Sequence, residues 1–109
     1  MSVLVVAPWF MTQKVVVEEL KGHGALGPVY EAPRTVLGRV EPRRRKITNR
    51  QGEEVVCEGV AYFVPSYAGR LNLAPGARIT VAGKRFTVEE VREHVDLTGT
   101  VAYVEAFLR

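Results

Sequence analysis

The sequence has a single cysteine, Cys57, and only two histidines, His23 and His94. One thiol cannot form an internal disulfide, and neither histidine stands in a Cys-x-x-Cys or His-x-x-x-His spacing that holds zinc. No apolar run approaches the roughly 18 residues that a membrane span needs. These absences exclude a disulfide framework, and we expect no metal, no other cofactor and no membrane contact.

Groups that could carry catalysis are also scarce. Cys57 lies in an apolar predicted strand, where a buried and unreactive thiol is the expected state. The pairs Glu18-Glu19, Glu53-Glu54 and Glu89-Glu90 adjoin or lie on predicted strands, where neighbouring side chains point to opposite faces and make poor acid–base pairs. The glycines between residues 22 and 27 lack the Lys-Ser pair and helix that a phosphate-binding loop requires. We therefore expect that the protein is not an enzyme.

What the sequence does contain is a valine-rich chain of 109 residues, 47% hydrophobic and 25% charged, a size that suits one small domain. Its short apolar runs, separated by glycine and proline, predict an all-β fold. We expect a small antiparallel β-barrel of about six strands with long loops and little or no helix. Residues 1–12 are expected to form an N-terminal arm, and residues 13–109 the single barrel domain. The first apolar stretch is too short for a signal peptide and lacks a basic leader, so we expect an unprocessed cytoplasmic chain.

Alternation and turn residues predict where the strands lie. The predicted strands are Gln13–Leu20, Thr35–Val40, Glu53–Val64, Arg78–Ala82, Arg85–Val91 and Thr100–Leu108. Segments 21–33 and 66–76 are rich in glycine or proline and are expected to be loops, and Pro42 should end or bend its strand. The predicted barrel core consists of Val15, Val17, Val36, Val60, Tyr62, Ile79, Val81, Phe86, Val88, Val101, Val104 and Phe107.

Positive charge is concentrated in one segment. Residues 39–50 contain six basic residues against one glutamate, a net charge of +5, so the rest of the chain sums to −2. Such a cluster is either a solvated hairpin or a contact for phosphates, whose geometry suits the arginine fork. No aromatic residue is interleaved, so stacking on single-stranded bases is not indicated. The cluster consists of Arg43, Arg44, Arg45, Lys46 and Arg50, with Arg39 before it.

The order of these features resembles a known family, the head-closure or head–tail joining proteins of long-tailed phages. These are also called stopper proteins, and some are described as minor capsid proteins. The resemblance covers residues 13–109 and depends on order and spacing more than on one motif. The matching segments are Gly38-Arg39-Val40-Glu41-Pro42, Glu53–Val64 before Pro65, Pro75-Gly76-Ala77-Arg78-Ile79, the hairpin Thr80–Val88, and His94-Val95-Asp96-Leu97-Thr98-Gly99.

The resemblance implies a structural protein of the virion neck, assembled in the host cytoplasm. Such a protein forms a homo-oligomeric ring below the portal and adaptor ring, retains packaged double-stranded DNA without sequence preference, and offers a docking surface to the tail-completion protein. The family's channel-gating loop corresponds here to residues 41–54, which contain the basic cluster. Loops 21–34 and 66–77 are the expected contacts with ring neighbours and adaptor, through Tyr30, Tyr67, Leu71 and Leu73, although the two leucines could equally pack over the barrel.

Two other functions fit the same features. One is a tail-completion protein of the same neck, which would meet the tail tube and not the gate. The other is a monomeric small-barrel protein that binds nucleic acid through the basic cluster.

Overall fold

A computed structural model of the chain describes residues 12–65, 71 and 73–109. Within these ranges no helix has the length and apolar character needed to cross a membrane. The N-terminal arm lies outside the described residues except for Thr12. The elements are the eight strands β1 (Gln13–Glu18), β2 (Leu20–Gly24), β3 (Gly27–Tyr30), β4 (Arg34–Thr48), β5 (Glu54–Phe63), β6 (Arg78–Val81), β7 (Lys84–Val95) and β8 (Val101–Leu108).

Six of the strands close into an antiparallel barrel in the order β1-β4-β5-β8-β7-β6, and β6 pairs again with β1. The predicted all-β barrel of six strands is therefore confirmed. Because all pairs are antiparallel, the β4–β5 and β6–β7 turns leave one end of the barrel, which we call the basic end. The opposite end carries the β7–β8 turn and the β2–β3 hairpin. We call this hairpin the arm; it is distinct from the predicted N-terminal arm of residues 1–12.

The barrel interior is lined by valines and by four residues of β5 and β8 that the predicted core did not include. Phe63, Ala61, Ala106 and Leu108 point inward from β5 and β8. Val60, Tyr62 and Phe107 are buried core residues, as predicted, but they belong to a second cluster on the outer face. Both faces of β5 and β8 are buried, so the two-residue period could not show which face lines the barrel. The inner core consists of Val15, Val17, Val36, Ala61, Phe63, Ala77, Ile79, Phe86, Val88, Val104, Ala106 and Leu108.

Residues 41–54 form a hairpin, and the expected loop is corrected here. Strand β4 continues past Pro42 to Thr48, with an irregularity between Pro42 and Arg45 where the strand bends, and β5 pairs with it from Glu54 onward. The strand persists because Ile47 and Cys57 are buried in the outer cluster, 6% and 0% exposed. Val55, which pairs with Ile47, is also buried, at 8% exposed, so the hairpin has apolar contacts that a solvated loop would lack.

Residues 21–33 also differ from the expected loop. Strands β2 and β3 form a separate two-stranded sheet around the turn residues Ala25 and Leu26. Gly27, at the end of that turn, has a positive φ of 114°, which a glycine adopts at little steric cost. The glycines that predicted a loop therefore belong to a tight hairpin that projects from the barrel.

Candidate nucleic-acid interface

The basic cluster is divided between the two faces of strand β4. Arg45 faces the same side as the buried Ile47, and its guanidinium carbon lies 5.5 Å from the centre of the Phe107 ring on the barrel's outer face. Arg44 and Lys46 alternate with them and are exposed. Arg45 is itself exposed, but its guanidinium lies against Phe107, whereas Arg44 and Lys46 alternate with it and face solvent.

Two further members of the cluster pair with carboxylates of the same chain. Arg43 lies 3.5 Å from Glu41, and Arg50 lies 3.6 Å from Glu90 on β7. The second pair joins the β4–β5 turn to the outer face of the barrel. Exposed ion pairs of this kind contribute about 0 to 1 kcal/mol each. They hold the hairpin in place only weakly, and they leave Arg43 and Arg50 less available to a phosphate.

Arg44 and Lys46 are the members of the cluster that remain for a partner. Within the described part of the chain, neither has a hydrogen-bond or ion-pair partner. Strand β5 places acidic residues beside them, because Glu54 pairs with Thr48 and Glu58 follows Cys57, the partner of Arg45. Residues 41–58 together hold five basic residues and four glutamates, a net charge of only +1. Counted from Arg39, as in the +5 segment, residues 39–58 hold six basic residues and four glutamates, a net charge of +2. The three glutamates that follow Arg50 therefore offset three of the five positive charges.

Three rings from β5, β7 and β8 form an aromatic group on the outer face that the sequence did not predict. The rings of His94 and Tyr103 are stacked, with centres 4.3 Å apart, and His94 Nε2 lies 3.2 Å from a Glu105 carboxylate oxygen. Tyr62 lies 6.3 Å from Tyr103, centre to centre. Burial raises the pKa of both tyrosines, and the guanidinium of Arg43 partly opposes the rise in the pKa of Tyr62. The group ties the base of the basic hairpin to β7 and β8.

The residues expected at the ring or adaptor interface do not form one surface in the described part of the chain. Leu71 and Leu73 are partly buried and pack against the inner core, so they cover the barrel end. Tyr30 lies at the base of the arm, with the guanidinium of Arg78 3.8 Å above its ring. That arginine also donates to Glu18 at 2.7 Å. Tyr67 lies outside the described residues.

The described residues contain no group of three or more histidine, cysteine, aspartate or glutamate side chains placed to hold a metal ion. Cys57 is fully buried, as the sequence predicted. Its burial, and secondarily the carboxylate of Glu89, raise the pKa of the thiol, while Arg109 opposes the rise. A thiol with a raised pKa is a poor nucleophile at neutral pH, because little of it is thiolate.

Comparison with known proteins adds no family to this description. No family model matches the chain, and no curated protein has a significantly similar sequence.

Proposed function

We propose that this chain is a non-enzymatic structural protein of a phage neck. It forms a ring below the portal and adaptor ring, closes the DNA channel after packaging, and provides a surface on which the tail docks. The observation that carries the proposal is the β4–β5 hairpin, which lies at one end of a closed six-stranded barrel and exposes Arg44 and Lys46. The resemblance in the order of segments leads to the same hairpin.

The contacts of Ile47, Arg45 and Arg50 hold the hairpin against its own barrel, which counts against a loose, charged gate. The gate proposed here therefore acts mainly by steric closure. A net charge of +1 over residues 41–58 gives one copy little attraction for DNA. An ordered hairpin repeated around a ring narrows the channel with backbone, and it lines the opening with one Arg44 and one Lys46 per copy. Repetition strengthens a weak field, because the potentials of neighbouring copies add within a narrow, low-dielectric channel. Contact with the DNA backbone would then be independent of sequence.

The proposed setting is the virion neck, assembled in the host cytoplasm. The partners are further copies of the chain, the portal and adaptor ring, the tail-completion protein and packaged double-stranded DNA. The proposed mechanism uses no cofactor and no catalytic residue.

The test is DNA retention by tailless heads that carry variants of the chain. In the double variant Arg44→Ser with Lys46→Ser, we expect the barrel to fold normally, because exposed changes of this kind cost less than about 0.5 kcal/mol each. Heads carrying it should leak DNA, and the leakage should depend less on salt than in wild type, because two phosphate contacts per copy are lost. Arg45 stays unchanged, since its contact with Phe107 would confuse packing with DNA contact.

The matched control is Lys14→Ser with Arg85→Ser, which removes the same charge from exposed positions on β1 and β7. We expect control heads to retain DNA as wild type does. Equal retention by both double variants at every salt concentration would contradict a DNA-contacting role for the hairpin. A virion neck imaged by cryo-microscopy without density for this chain would overturn the proposed function altogether.

The exposed pair Arg44 and Lys46 also supports the second candidate, a monomeric barrel that binds nucleic acid. This candidate predicts that the isolated chain binds duplex DNA in fluorescence anisotropy. It further predicts that the Arg44→Ser, Lys46→Ser variant lowers the slope of log affinity against log salt by about 2. A neck protein that contacts DNA only as an assembled ring would show no measurable binding as an isolated chain.

A further inference from the structure

The arm projects from the barrel with an apolar tip that nothing in the described chain covers. Leu26, in its two-residue turn, is 103% exposed, and Val29 on β3 is 43% exposed. Among the described residues, the arm contacts the barrel at its base, where Leu20 lies against Gly76 and Tyr30 against Arg78. A two-stranded hairpin is marginally stable by itself in water, so an arm with a bare apolar tip is best explained by a partner.

A pocket of about 250 Å³ lies at the base of the same arm. It is lined by Val17, Glu19, Glu31, Ala32 and Arg34. Glu19 is engaged by Arg34, with 3.7 Å between the guanidinium nitrogen and the carboxylate oxygen. The carboxylate of Glu31 is exposed and has no partner within the described residues. The apolar lining of the pocket is the exposed Ala32 over Val17, which is itself only 2% exposed, and the rim carries one unpaired negative charge.

The arm and the pocket are complementary in charge as well as in polarity. Between Leu20 and Tyr30 the arm contains Lys21 and His23 and no acidic residue. Both side chains are exposed and have no partner in the described part of the chain. The arm, with an apolar tip and a free lysine near its base, has the charge opposite to that of the free glutamate at the rim of the pocket.

The arm cannot reach the pocket of its own chain. Leu26 and Ala32 are joined by the extended strand β3 and its continuation, so they lie roughly 15 Å or more apart. A contact between arm and pocket therefore joins two copies. The two surfaces differ, so the contact is head-to-tail, and it closes into a ring when the rotation between copies permits.

We propose that the arm of one copy inserts Leu26 into the pocket at Val17 and Ala32 of a second copy, with Lys21 meeting Glu31. The inference rests on the proposed ring assembly, in that the two copies are taken to be ring neighbours. It assigns the arm to the contact between copies and leaves the basic hairpin at the opposite end free for DNA.

Disulfide trapping tests the contact directly. The variant Leu26→Cys with Ala32→Cys, on a Cys57→Ala background, is oxidised in concentrated solution and separated by non-reducing gel electrophoresis. We expect a ladder of dimers, trimers and higher species, because each copy offers one arm and one pocket. A bond within one chain is excluded by distance, since disulfides need α-carbons within about 7 Å. Monomers alone, or dimers alone, would overturn the proposal.

Charge exchange tests the pairing of residues. By sedimentation velocity, Lys21→Glu and Glu31→Lys should each weaken self-association about three- to fivefold, as expected for an exposed ion pair. The double variant should recover the wild-type value, and a double variant weaker than either single change would contradict the pairing.

A change at the tip of the arm tests the apolar contact. Leu26→Ser should weaken association about tenfold or more, because it removes the leucine that the contact buries. The control Leu97→Ser alters another fully exposed turn leucine, beside Asp96, and should have no effect.

These results separate the contact from the proposed function. A ladder from a chain that is absent from the virion neck would keep the contact and remove the function. A chain found in the neck that gives no ladder would keep the function and remove the contact.

Discussion

The two hairpins that leave the barrel treat their apolar residues in opposite ways. The β4–β5 hairpin buries Ile47 and Cys57 and rests Arg45 over Phe107, whereas the arm exposes Leu26 completely. The first is charged in sequence but amphipathic in structure, and the second is rich in glycine and carries its apolar residue at the tip. Burial of one face gives the basic hairpin its fixed position, and the absence of such a face leaves the arm available to a partner.

The largest expected effect on the free energy of unfolding comes from replacing a buried side chain of the outer cluster, compared with the same change at the exposed tip of the arm. Phe107 is 0% exposed and lies between the guanidinium groups of Arg45 and Arg92, at 5.5 and 4.8 Å from its ring centre. We expect Phe107→Ala to lower the free energy of unfolding by about 3–5 kcal/mol, because it removes a large buried ring. Leu26→Ala should change it by less than about 0.5 kcal/mol. Urea unfolding of the two variants measures both values.

If Phe107→Ala fails to fold, Phe107→Leu supplies a smaller loss in the same direction, about 1–2 kcal/mol. Comparable losses for Phe107→Ala and Leu26→Ala in the monomer would show that the arm is packed, and that the contrast between the hairpins is wrong.

A smaller effect on stability is expected from two glycines, one in the barrel part of β4 and one in the arm. A Cβ at Gly38 on β4 would lie 2.7 Å from the Phe63 ring and 3.0 Å from the Tyr62 carbonyl oxygen, whereas one at Gly22 on β2 would meet nothing within 4 Å. We expect Gly38→Ala to destabilise the fold by about 1–3 kcal/mol through overpacking. Gly22→Ala should be neutral, or stabilise by up to about 1 kcal/mol, by restricting the unfolded chain. Thermal and urea unfolding of both variants would reveal the difference, and equal values would contradict it.

The fold class could be predicted from the sequence because several strands are marked by local signals. The turn at Ala82 and Gly83 is an example, since both residues have positive φ and the predicted strands end and begin on either side of Gly83. The length of β4 was missed because Arg43 to Lys46 have the composition of a solvated loop. Their strand depends on Ile47 meeting a cluster from β5 and β8, a contact between segments distant in sequence. The arm was missed because glycine predicts both loops and tight hairpins.

The surroundings of the basic segment could not be predicted from the sequence. The basic segment is where the sequence placed it, but its net charge is reduced by the glutamates of β5, which only strand pairing brings alongside. Which arginine lies over Phe107 depends on the irregularity between Pro42 and Arg45, and no local pattern encodes that shift. Charge counted along one segment therefore overestimates the field whenever its partner strand carries the opposite sign.

The smallest expected effect concerns Cys57, which is buried where the basic hairpin meets the barrel. Burial and Glu89 raise the pKa of its thiol above 9.0, the ordinary value, so the folded state disfavours the thiolate. The unfolded chain loses the proton first as pH rises, and stability should therefore be unaffected by this group below pH 9 and decline above it. Cys57→Ala should remove that part of the decline, while the rise in the pKa of Tyr62 and Tyr103 leaves a further decline near pH 10. Unfolding by urea across pH 7 to 10.5 measures the difference between variant and wild type.

Labelling by a thiol reagent compares the same two hairpins. The reagent should label folded Cys57 slowly, and an engineered Leu26→Cys on the Cys57→Ala background rapidly. Rapid labelling of Cys57 at neutral pH would show that the basic hairpin opens from the barrel as readily as the arm meets solvent.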